Sequence, residues 1–96
     1  MYKIKKYKIK NGKLFEIKLE FSDKINDIKI LGDFFIYPAE GLESIETELV
    51  NCTIKKEDIK KRIDECLEKN SIELIGIDSD SITTAIIEMS EWFGEF

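Results

Sequence analysis

Residues 28 to 38, Ile-Lys-Ile-Leu-Gly-Asp-Phe-Phe-Ile-Tyr-Pro, constrain the fold more than any other stretch, because the hydrophobic period changes there. Before it, apolar residues recur every second position; after it they recur at helical spacing. A sheet therefore occupies the first part of the chain and helices the second. Gly32 suits a backbone that must bend or approach another chain closely. Asp33 is suited to hydrogen-bond backbone amides in the turn that follows. Pro38, the only proline, has its φ pre-set for the first turn of a helix. Phe34 and Phe35 are adjacent, and in extended backbone adjacent side chains point to opposite faces. One ring can fill the sheet–helix core while the other covers a rim or is presented to a partner protein.

The strands before this switch are legible one by one. Tyr2, Ile4, Tyr7 and Ile9 mark a strand over 2–10 whose alternation slips between Ile4 and Tyr7, which predicts a bulge near Lys5-Lys6. Asn11-Gly12 is a strong hairpin signal, since both residues tolerate positive φ. Phe15, Ile17, Leu19 and Phe21 then fall on one face, with Glu16, Lys18 and Glu20 on the other. Ser22-Asp23-Lys24 turns the chain into a third strand, Ile25 to Leu31. Short turns between the three give an antiparallel meander with one wet face and one that helices must cover.

Downstream, Leu42, Ile45 and Leu49 form the stripe of a helix from Pro38 to about Val50, with Glu40 and Glu43 at its positive end. Ile59, Ile63, Cys66 and Leu67 form the stripe of a second, over about 55–69, with Glu57 and Asp58 in its first turn and Asn70-Ser71 at its end. Ile72 to Ile77, around Gly76, reads as a short extended segment closing the core. Asp78 caps a third helix over about 79–92, whose stripe is Ile82, Ala85, Ile86 and Met89. Trp92, Phe93 and Phe96 either staple this helix down or are covered by another protein. The fold class is α+β, a three-stranded antiparallel meander covered by about three helices, in a single domain over 1–96.

Charge and composition exclude several functions. The net charge of -5 is unevenly spread: residues 1–13 carry six lysines and no acid, and the remainder carries all twenty acidic residues. An acidic bulk argues against a nucleic-acid platform, which needs a basic face toward phosphates. The lysine-rich start reads as an edge strand protected by charge, or as a segment that docks on something acidic. No apolar run has the length of a membrane span and no secretory leader opens the chain, so the expected location is cytoplasmic.

The sequence contains no histidine, and its two cysteines, Cys52 and Cys66, form no Cys-x-x-Cys pair. A zinc site would lack ligands, and no triad or phosphate-cradling glycine loop is present. The carboxylates fall mostly on outward helix faces. Spacing and composition describe a small non-catalytic α+β module.

The run Ile28-Lys-Ile-Leu-Gly-Asp-Phe-Phe-Ile-Tyr-Pro-Ala-Glu, with a hairpin strand before it and a helix after it, resembles the C-terminal accessory domain of lipoate–protein ligases. Ile72-Glu-Leu-Ile-Gly-Ile and Asp78-Ser-Asp-Ser-Ile follow in the family's order, so the likeness spans roughly residues 11 to 94; Met1 to Lys10 has no clear counterpart. The resemblance implies an accessory chain of a two-chain, archaeal-type ligase, since the chain opens directly with the sheet. It implies pairing as a heterodimer with a catalytic lipoate–protein ligase chain that holds lipoate and ATP with Mg. This chain would bind no cofactor by itself. The complex forms lipoyl-AMP and then passes the lipoyl group to a lysine of a lipoyl acceptor domain. On that reading Gly32, Asp33, Phe34, Phe35 and Tyr37 are the candidate partner interface, no residue is catalytic, and no activity is expected of the chain alone. The rival readings are an iron–sulfur scaffold or sulfur acceptor acting through Cys52, and a free-standing interaction module.

Overall fold

A computed structural model describes residues 1–8 and 14–91. Three strands, β1 (Tyr2–Lys8), β2 (Leu14–Phe21) and β3 (Ile25–Gly32), form an antiparallel sheet in the order β1-β2-β3. The expected hairpin at Asn11-Gly12, and Ile9, lie outside the described residues. A short strand β4 (Phe35–Tyr37) leads to helix α1 (Gly41–Leu49) and then α2 (Lys56–Lys69). Strand β5 (Glu73–Ile75) pairs antiparallel with β4, and α3 (Ser79–Glu91) completes the described chain.

The alternation in β2 puts Phe15, Ile17, Leu19 and Phe21 on the covered face, where all four are buried. Ile28 and Ile30 of β3 join them. Helices α1 and α3 lie on this face, and α2 packs against both. Ile45 and Leu49, Ile59 and Ile63, and Ile82, Ile86 and Met89 close the core, each at most 1% exposed. Each such side chain withdrawn from water contributes roughly 1.5–3 kcal/mol before entropy is counted. Asp78 caps α3 as expected, accepting from the Ser81 N–H at 2.7 Å.

Three expectations are corrected. There is no bulge at Lys5-Lys6: β1 pairs with β2 in unbroken register from Tyr2↔Glu20 to Lys8↔Leu14, and the irregularity lies between Glu20 and Phe21, where β2 meets β3. The slip in the apolar pattern arises because Lys3 and Lys5 share the inner face with Tyr7. The Lys3 ammonium lies 5.7 Å from the Phe21 ring centroid and donates to the Met89 carbonyl at 3.0 Å. Its aliphatic stem covers the sheet while its charge meets the C-terminal end of α3, which has no basic residue in its last turn. Second, α1 starts at Gly41. Pro38 follows a cis peptide bond in the preceding turn, whose Pro38 carbonyl accepts the Gly41 N–H at 2.9 Å. Third, the Asp33 carboxylate accepts no backbone amide among the described residues; its own N–H donates to the Leu14 carbonyl at 2.8 Å.

Candidate partner-docking face

The face is built from the point where the chain leaves the sheet. At Gly32 β3 lies so close to β2 that a Cβ would stand 2.6 Å from the Leu14 carbonyl oxygen and 2.7 Å from Phe15 Cα. Glycine is needed there for space. The Asp33 N–H to Leu14 bond holds this junction shut and aims the next residues off the sheet.

Alternation then sorts the four residues beyond it. Phe34 and Ile36 are half-buried and pack on the core, whereas Phe35 is 70% and Tyr37 73% exposed. In the β4–β5 ribbon Phe35 stands opposite Ile75, Ile36 opposite Leu74, and Tyr37 opposite Glu73. Ile36 and Leu74 face inward together, so Phe35, Tyr37 and Ile75 form an outward apolar stripe. Ser71 at φ 52° and Gly76 at φ 93° turn the chain into and out of β5.

The five expected interface residues therefore divide. Gly32 and Asp33 line a shallow, mostly apolar hollow of about 240 Å³ at the end of the sheet, with Lys6, Leu14, Phe15, Glu16 and Leu31. Phe35 and Tyr37 project from the ribbon, and Phe34, half-buried, packs against the core. Sequence reasoning did not include Ile75 in the face. The signal was the Glu73/Ile75 alternation inside the Ile72–Ile77 run, but its pairing with residues 35–37 spans almost 40 positions and is not local.

The remaining hollows do not suit a nucleotide. One hollow of about 440 Å³ is lined by Glu40, Glu43 and Glu48 against a single cation, Lys69, and a polyphosphate would meet carboxylates there. Among the described residues no three His, Cys, Asp or Glu side chains are placed to hold a metal. Both cysteines are buried free thiols. Burial pushes the Cys52 thiol up, outweighing the nearby Arg62 charge, and burial does the same to Cys66 against its Asn70 hydrogen bond. A sulfur acceptor needs an exposed thiol with a lowered pKa, so neither cysteine fits that role. No helix of the described chain is long and apolar enough to cross a membrane.

A sheet closed by helices on one face, with an apolar ribbon projecting beside it, defines an α+β module suited to pairing with another protein. Residues 2–86 match the family model of the bacterial lipoate protein ligase C-terminus, and the chain belongs to that family. The match begins at Tyr2, so β1, which the resemblance had left without a counterpart, is an integral strand of the domain. A solved chain from the structural analysis of an archaeal lipoylation system, a bi-partite lipoate protein ligase and its E2 lipoyl domain from Thermoplasma acidophilum, has the same fold. It is 26% identical with a TM-score of 0.75, over 90% of this chain and 94% of that one. No curated protein matches the chain.

Proposed function

We propose that this chain is the accessory partner in a two-chain lipoate–protein ligase, working in the cytoplasm. It pairs with a catalytic chain that holds lipoate and ATP with Mg, and it is required for lipoate adenylation before lipoyl transfer to an acceptor lysine. The observation that carries this reading is the fold shared with a chain of a bi-partite ligase system over nearly all of that chain's length. The chemistry fits a protein that supplies surface. An adenylated acid is a reactive mixed anhydride, and a second body closing over the site excludes water and holds the substrates in place. The outward Phe35, Tyr37 and Ile75 stripe, with the hollow at Gly32-Asp33 beside it, provides apolar area for such a contact. A stable pairing buries on the order of 800 Å² on each partner.

Reconstitution tests the proposal. Mixing this chain with the catalytic ligase chain of the same organism, lipoate and ATP should yield lipoyl-AMP and pyrophosphate, and leaving it out should abolish or sharply reduce the yield. Equal adenylation with and without it would reject the accessory role.

A further inference from the structure

The two edges of the three-stranded sheet are finished differently. On the β3 side the Ile30 N–H donates to the Glu46 Oε2 at 2.7 Å, so a helix side chain occupies that edge. Farther along, the Ile25 N–H donates to the Cys52 carbonyl at 3.0 Å and the Asn51 N–H to the Ile25 carbonyl at 2.7 Å. That edge is occupied at both places.

Among the described residues nothing occupies the β1 edge in this way. The Met1 ammonium donates to the Phe21 carbonyl at 2.7 Å and the Phe21 N–H to the Met1 carbonyl at 2.8 Å, a reciprocally bonded pair. Bonded pairs recur every second residue in an antiparallel ladder. The backbones of Lys3, Lys5 and Tyr7 therefore face β2, and the N–H and C=O groups of Tyr2, Ile4, Lys6 and Lys8 face away from it. Among the described residues no backbone hydrogen bond beyond the sheet reaches these four. The strand is seven residues long and runs in unbroken register, which makes it a template for another strand.

Its charge selects the occupant. A second copy of β1 would put four outward lysines, Lys6 and Lys8 of each strand, along one edge with no acid in either strand, whereas a strand bearing carboxylates would neutralise them. Lys6 and Lys8 are exposed on the outer face, alongside Tyr2 at 58% and Ile4 at 54% exposure. The complementary strand carries carboxylates opposite Lys6 and Lys8 and apolar residues opposite Tyr2 and Ile4. We propose that the open edge of β1 docks the catalytic ligase chain by strand addition, pairing with an extended acidic segment of that chain whose carboxylates sit against Lys6 and Lys8. This inference rests on the accessory-chain reading and specifies how the two chains join.

Amide hydrogen exchange of the isotope-labelled full chain, alone and in complex with the catalytic chain, tests it. Strand addition slows the Ile4, Lys6 and Lys8 amides by about tenfold or more on complex formation, while Lys3, Lys5 and Tyr7 are protected in both states. Lys6→Glu/Lys8→Glu should weaken the complex on the order of tenfold and flatten its salt dependence. A complex that makes lipoyl-AMP while the even-numbered amides exchange as in the free chain would overturn the docking mode and leave the accessory role standing. Failure of the two chains to associate would remove both.

Discussion

Replacing Gly32 with alanine isolates the junction on which the docking face depends. The new Cβ would stand 2.6 Å from the Leu14 carbonyl oxygen, 2.7 Å from Phe15 Cα and 2.8 Å from Phe15 Cβ. Ordinary contact therefore requires the strands to part by about 0.8 Å. All three atoms belong to the central strand or its root, and none can rotate aside. The cheapest relief lifts the end of β3 off β2, losing the Asp33 N–H to Leu14 bond. That bond contributes about 1 kcal/mol and overpacking adds about 1–3 kcal/mol. The stiffer unfolded chain returns about 0.4–1 kcal/mol. The net cost is about 2 kcal/mol, which lowers the urea midpoint by about 1–2 M for a chain of this size.

Gly41→Ala is the control. Its three nearest atoms would all be side-chain atoms of Ile72, at 3.0 to 3.3 Å, a milder crowding than the backbone contacts at Gly32. The variant therefore costs clearly less than Gly32→Ala. An unchanged midpoint for Gly32→Ala, or equal damage from the two variants, would refute the reasoning from close backbone approach.

Phe34→Ala removes a half-buried ring that packs on the core and should cost about 2 kcal/mol in urea unfolding. Phe35→Ala, at an exposed position, should leave the midpoint within about 0.5 kcal/mol and weaken binding of the catalytic chain tenfold or more; if both variants unfold alike, Phe35 is not the partner-facing ring. The Tyr7 phenol donates to the Ala85 carbonyl at 3.2 Å and is pushed up from 10.0 to about 12, first by burial and then by the Glu88 charge. Unfolded, it ionises near 10.0, so the folded state holds its proton to higher pH. Its contribution is complete below pH 10.0 and is lost between there and about pH 12. Tyr7→Phe should therefore lose stability less steeply across that window than the parent, as read from urea midpoints; the thiols titrate alike in both chains, and identical slopes would reject the assignment.

The meander and the three helices could be read from the chain because each element carries its own period. Phe15 to Phe21 alternates cleanly because one face is dry, and Ile59, Ile63 and Cys66 recur at helical spacing for the same reason. The candidate site was only half legible. Gly32 was read as a bend or a close approach to another chain, and the approach it makes is to the adjacent strand β2; alternation required Phe34 and Phe35 to part company, but which ring went inward was open. The expected bulge failed because an inward lysine, with an apolar stem and a charged tip, looks polar in a pattern.

Local sequence thus determined where strands and helices form and which face of each is buried, since those depend on neighbours a few residues away. Tertiary structure alone decided that residues 35–37 pair with 73–75, that Phe35 rather than Phe34 turns outward, and that Glu46 and the 51–53 loop meet one sheet edge while, among the described residues, no backbone bond reaches the outer side of the lysine-bearing edge. These outcomes depend on which distant segments share a boundary, and no periodicity within one segment records its neighbour across the fold.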